Sequence, residues 1–167
     1  MTLKKYTKRA ATFLLTGICL GLASAAGAKQ CTLSFNAASN AQALPITSVA
    51  YQHIQVGTVL QDCNNAHGYT LVVGSYNCPF SPSGAKLTDS ISGDFVRYSV
   101  EFDNKDTGHG ISIVSGLLTQ TCAQQIARDQ HSANDNLSSD VFVNFTGVAL
   151  LGEGTYSDTL SVTLNLN

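Results

Sequence analysis

From Thr159 to Leu166 every second residue is apolar: Leu160, Val162, Leu164 and Leu166 alternate with Thr159, Ser161, Thr163 and Asn165. A period of two places one set on each face of an extended strand, so this run is a β-strand with one buried face. Shorter runs of the same character recur upstream, separated by clusters of Gly, Asn, Asp, Ser and Pro. They are "CTLSF", "HIQVGTVLQDC", "GYTLVVGS", "FVRYSVEF", "GISIV", "SDVFVNFTGVAL" and "DTLSVTLNL". No long segment carries a helical period; "TCAQQIARDQH" offers one or two helical turns at most. The pattern predicts an all-β chain, an immunoglobulin-like β-sandwich of about seven strands, with a barrel as the competing architecture.

The beginning of the chain has a different logic. Lys4, Lys5, Lys8 and Arg9 precede the apolar stretch "AATFLLTGICLGLA", and "ASAAGA" then supplies small residues. This is the order of a secretory signal peptide. The apolar stretch falls short of the about 20 residues that a bilayer span requires, so no permanent membrane anchor is expected. Cleavage is expected after Ala28, with Ala25 as the second choice. The expected domains are therefore a leader, 1–28, and one β-domain, 29–167.

Residues 29–167 keep five basic residues against eleven acids, a net charge of −6. The basic footprint of a nucleic-acid-binding surface is missing. Four cysteines remain: Cys31, Cys63, Cys78 and Cys122. An even number in an exported chain reads as two disulfides. The runs on either side of "NNAHG" look like a hairpin, in which Cys63 would face about Tyr69 rather than Cys78, out of disulfide reach. Cys31–Cys63 with Cys78–Cys122 is the preferred pairing, and the other two connectivities stay open.

Catalytic chemistry is not indicated. The chain has no G-x-S-x-G elbow, no H-E-x-x-H and no phosphate-binding loop. His53, His67, His109 and His131 are scattered, and Cys63 with His67 would need further ligands to hold zinc. Asp62, Asp103 and Asp106 lie in or beside turns, where aspartate serves the local backbone. "NLS" at 136–138 and "NFT" at 144–146 match the glycosylation sequon by chance. No enzyme activity, cofactor or metal is expected.

"DCNNAHGYTLVVGS", "VRYSVEFD" and "GTYSDTLSVTLNLN" together resemble the chaperone–usher pilin group, and most of all its spore coat protein U-type branch. The final "G-x-Y-x-D-T-hydrophobic-x-V-T" strand is the most specific element. The resemblance spans roughly residues 31–167, with 103–140 matching poorly. It implies an immunoglobulin sandwich lacking its last strand, whose groove is filled first by a periplasmic chaperone and later by a neighbouring pilin subunit delivered through an outer-membrane usher. It also implies passage through the periplasm to a fimbrium at the cell surface. On this resemblance Gly154, Tyr156, Leu160, Val162, Leu164 and Leu166 form the subunit and chaperone groove. Two features depart from the pattern: Leu166 stands where pilins carry a penultimate aromatic, and only Lys29 and Gln30 precede Cys31 after cleavage, too few to donate a strand. Either Cys31 pairs differently, or "CTLSFNAASNAQALPIT" is itself the donor, or the subunit receives a strand and gives none. The alternative function is a self-contained secreted β-sandwich that binds a carbohydrate or a host surface.

Overall fold

Alternation governs the strands that form. A computed structural model of the chain describes residues 10–15, 30–39, 41, 44–45, 51–64, 69–78, 84–104, 113–128, 135–146 and 154–166. Among them there is no helix, and eleven strands follow in order: β1 (Ala10–Leu15), β2 (Gln30–Ala37), β3 (Leu44–Pro45), β4 (Tyr51–Asn64), β5 (Tyr69–Ser75), β6 (Lys86–Asp89), β7 (Phe95–Asn104), β8 (Ile113–Leu117), β9 (Ala123–Arg128), β10 (Asp135–Thr146) and β11 (Tyr156–Leu166). Inward positions are Tyr69, Leu71 and Val73 on β5, Val96, Tyr98, Val100 and Phe102 on β7, and Val141, Val143 and Phe145 on β10.

One layer has the order β2-β4-β10-β7, antiparallel throughout, with β8 on β7 as well. The start of β7 pairs with β6, and β6 with β11, so β7 and β6 lead from this layer into the second. There β5 lies between β11 and β9. Both layers contribute to a single apolar core, and two buried hydrogen bonds cross between them. Tyr69 Oη of β5 donates to Gln61 Oε1 of β4 at 2.5 Å, and Tyr98 Oη of β7 donates to Asp158 Oδ2 of β11 at 2.5 Å. The fold is an all-β sandwich.

A β-bulge explains why β4 can be so long and still keep one face inward. Opposite β10 the register passes from Gly57 directly to Gln55, leaving Val56 without a partner. One extra residue inverts the parity of everything beyond it. Ile54 packs against the core on one side of the bulge, Val59, Gln61 and Cys63 are inward on the other, and Val56 at the bulge is buried. Gly57 has no side chain because the Phe35 ring of β2 occupies the place: a Cβ there would sit 2.0 Å from Phe35 Cζ.

The described parts of all seven anticipated runs are strands, with Gly68, 110–112 and 147–150 outside the described residues, and the structure adds to them. Ala123–Arg128, read as a possible helical turn, is β9, paired along its length with β5. β6, β3 and β1 were not anticipated, and β1 lies within the stretch read as the leader. The hairpin across 65–68 is corrected. Those four residues lie outside the description, but β4 pairs with β2 and β10 whereas β5 pairs with β11 and β9, so the chain changes layer between them.

The disulfides are Cys31–Cys63 and Cys78–Cys122, with Cα separations of 4.1 and 5.2 Å. Cys31 and Cys63 are directly opposed on β2 and β4, and Cys78 and Cys122 extend the β5–β9 ladder, where Ser75 N donates to Cys122 O at 3.0 Å. Disulfides of this kind belong to oxidising compartments. Removing either is expected to destabilise the fold by about 2–5 kcal/mol. Peptide mapping of unreduced protein should recover these two pairs, and thiol labelling of denatured, unreduced material lacking residues 1–28 should find no free thiol.

Candidate functional site

A strand has two edges, and the two edges of β11 are dressed differently. Tyr156 and Ser157 pair with Asp89 and Thr88 of β6 and, at the same time, with Ala11 and Thr12 of β1. Leu160 pairs with Ser75 of β5 and also with Leu15 of β1. A residue with two partners has one on each side, so β5 and β6 share one edge and β1 takes the other. β1 runs parallel to β11, the sole parallel pair among the described strands. Its register stops at Leu160, and from Ser161 to Leu166 no described strand lies on that side.

The inward stripe of β11 begins buried and ends exposed. Tyr156, Leu160 and Val162 are buried, Leu164 is half-buried, and Leu166 is 47 % exposed. Leu166 therefore marks the open end of the stripe and is not a core residue. Gly154 stands just before the strand against the Asp89 carboxylate; a Cβ on it would come within 2.0 Å of Asp89 Oδ2. Asp89 is itself buried, accepting from Ile91 N at 2.9 Å and Ser92 Oγ at 3.1 Å to close the turn after β6. Alanine at 154 would push this turn away from the head of β11.

The second inward residue of the stripe, between Tyr156 and Leu160, is Asp158, 3 % exposed in an otherwise apolar row. Its carboxylate collects donors from both layers. Oδ2 accepts from Tyr98 Oη and Ser75 Oγ, each at 2.5 Å, and Oδ1 accepts from Asn77 N at 2.9 Å and Thr159 N at 2.6 Å. The Asn77 side-chain amide donates to Ser157 O, and Tyr76 N donates to Thr159 O at 2.9 Å. A buried charge tolerated in this way is one whose lone pairs are all met. The sequence signal for it was an acid at an inward position of an alternating strand. Tyr98, Ser75 and Asn77 had no such signal, because their role depends on how the layers face each other.

The same contact acts on Tyr98. Burial, the adjacent Asp158 charge and the hydrogen bond to it raise the phenol well above the ordinary value of about 10. A folded-state value above the unfolded one means that the unfolded chain releases its proton first. The contribution of Tyr98 is complete below pH ~10 and is lost as pH rises from there through the folded value, at up to about 1.4 kcal/mol per pH unit. Alkaline titration of stability should show this decline, and Tyr98→Phe should flatten it.

Ser75 donates its hydroxyl proton to the Asp158 carboxylate, which also accepts from Tyr98, Asn77 and Thr159. Among the described residues no group of three His, Cys, Asp or Glu side chains could hold a metal ion. Cys63 is in a disulfide, and His53 Nε2 lies 3.2 Å from Glu101 Oε1 with its ring stacked on Phe142. His67, His109, His131 and Asp106 lie outside the described residues. Among the described residues no helix is long and apolar enough to cross a membrane. Beside the apolar stripe, the edge of β11 from Ser161 to Leu166 has no partner among the described strands on the side that β1 takes. Neither a family model, nor a curated protein, nor a solved structure matches the chain.

Proposed function

We propose that this chain is a structural subunit of a secreted surface fibre or coat, assembled by donor-strand complementation through a periplasmic chaperone and an outer-membrane usher. The observation that carries the reading is the free-side edge of β11, whose one described partner comes from the far end of the sequence. Strand addition uses such an edge directly: main-chain hydrogen bonds give affinity, and alternate side chains seated beside Tyr156, Leu160 and Val162 give specificity. Loss of the leader at 1–28 during export takes β1 with it and leaves that edge uncovered. A bare edge beside an apolar stripe aggregates unless something covers it. That need gives a chaperone its role in the periplasm and another pilin subunit its role at the surface, in a fimbrium. Gly154, Tyr156, Leu160, Val162, Leu164 and Leu166 are the groove residues of this reading.

The test is co-expression, with export, of the chain and a chaperone encoded beside it. The expected result is a one-to-one complex of chain lacking residues 1–28 with chaperone, and insoluble chain when the chaperone is left out. A monomeric, cooperatively unfolding and highly stable domain without any chaperone overturns the proposal. That result would favour a self-contained secreted sandwich that binds a carbohydrate or host surface. The observation supporting this second reading is a set of exposed rings: Tyr76 is 84 % exposed, and Phe95, 44 % exposed, lies under Lys86 Nζ and beside the Arg97 guanidinium at 4.8 and 5.5 Å from the ring centre. Glycan-array binding lost in Tyr76→Ala would identify it.

A further inference from the structure

The strand that covers the free edge of β11 belongs to the segment that export removes. β1 pairs with five consecutive residues of β11: Ala11, Thr12, Phe13, Leu14 and Leu15 stand in register with Tyr156, Ser157, Asp158, Thr159 and Leu160. It does not hang at the margin of the sheet, because its other side carries β3, with Ala10 opposite Pro45 and Ala11 opposite Leu44. Pro45 has no N–H to offer a further strand, as befits the outermost position. β1 is thus an interior strand whose departure would bare β11 on one side and β3 on the other. Its register positions 11, 13 and 15 match Tyr156, Asp158 and Leu160, the buried stripe, and the segment "AATFLL" is apolar at all but one position. The composition that suits the apolar part of a leader also suits a strand beside this stripe.

From this we infer that Ala10–Leu15 is a placeholder strand. While the leader stays attached it closes the edge of β11, so the uncleaved chain cannot accept a strand from a partner there. Cleavage is the event that makes the site available. The partner strand that replaces it in the same ladder runs parallel to β11 and carries apolar residues in register with Tyr156 and Leu160. This inference rests on the leader and strand-addition reading given above.

Hydrogen exchange on the oxidised full chain tests it. In full chain the amides of Tyr156, Asp158 and Leu160, which face β1 because Ser157 and Thr159 turn to the other edge, should exchange at least tenfold more slowly than in full chain carrying Leu14→Pro, which removes the ladder donor between the Phe13 and Leu15 register positions. Thr7→Pro, outside β1, should leave the rates unchanged. A second measurement does not depend on Leu14→Pro folding. Paired positions on neighbouring strands lie about 5 Å apart, within disulfide reach. In a Cys19→Ser background, Leu14→Cys with Thr159→Cys should oxidise to one additional disulfide. Leu14→Cys with Val72→Cys should not, since Val72 is on β5, on the other side of β11. Equal exchange in the full chain and in a folded Leu14→Pro variant, or no bridge between positions 14 and 159, overturns the placeholder. Chaperone capture is read separately. A bridge without chaperone capture leaves the placeholder standing and removes the pilus reading, whereas capture without the bridge does the reverse.

Discussion

Val162→Asp is expected to leave the protein without a cooperative unfolding transition, whereas Thr163→Asp, one residue along, should keep one. Val162 is 5 % exposed and faces Val73 of β5, which is fully buried. Its replacement removes about 1.5–3 kcal/mol of apolar burial and places a carboxylate where no donor waits, a penalty of several kcal/mol more. Together these reach the lower end of the ~5–15 kcal/mol that holds a domain together. Thr163 points to the other face and is half-buried opposite Val72, so its change should cost about 1 kcal/mol. The same substitution along the stripe should fall off with exposure: severe at Leu160, intermediate at half-buried Leu164 and small at Leu166. Far-ultraviolet circular dichroism through a urea series gives the ranking. A Leu166→Asp effect as large as that of Leu160→Asp would mean that the end of the stripe is covered in solution.

Asp158→Ala should be the most damaging polar substitution, at about 3–5 kcal/mol. It strands the hydroxyls of Tyr98 and Ser75 and the Asn77 amide N–H in a buried place, and each lost hydrogen bond to a charged group is worth about 1.5–3 kcal/mol before relaxation. Asp158→Asn should be much milder, near 1–2 kcal/mol, because the amide keeps one oxygen for the two backbone donors and the hydroxyls can rotate to accept from its NH₂. A double-mutant cycle between Tyr98→Phe and Asp158→Ala should show coupling of about 1–3 kcal/mol. Additivity would mean that the two layers are not joined at this point. Equilibrium denaturation of the four proteins decides between them.

The strands with clean alternation were legible because a half-buried strand writes its burial into a period of two. That was enough to find β4, β5, β7, β10 and β11, and to give the buried side of β11. β9 was obscured because "AQQIAR" is rich in residues that favour helices; its pairing with β5 outweighs that preference. β6 is four residues long and too short to carry a period. The region around "NNAHG" was misread for a different reason. Turn residues announce that the chain reverses but not whether it returns to the same layer, and here it crosses to the other. The cysteine pairing came out as preferred although the hairpin behind the argument did not form. Its true basis is the opposition of Cys31 and Cys63 across β2 and β4, which sequence patterning does not specify. Of the residues named for the groove, Leu160 and Val162 were on the inward side by alternation alone, whereas Tyr156 was named through the resemblance. Asp158 and its donors could not be placed in either way, since they are brought together by two layers rather than by one strand.

The position of β11 has a bearing on how such a chain is made. In its own layer β11 is bordered by β5 and β6 on one side and β1 on the other, and it is the last described strand to leave the ribosome. Until it arrives, the second layer lacks its middle: β5 and β9 form a ribbon with one unpaired side, and β6 has only β7. The first layer can close earlier, since β2, β4, β10 and β7 are all available once residue 146 has been synthesised. Vectorial synthesis therefore yields a half-sandwich, open on its apolar face, for as long as residues 147–166 take to follow. Pairing between such distant parts of a chain is slow. The interval in which this protein most needs protection begins before it is complete, and a stalled or truncated chain ending short of Tyr156 would remain in that state permanently.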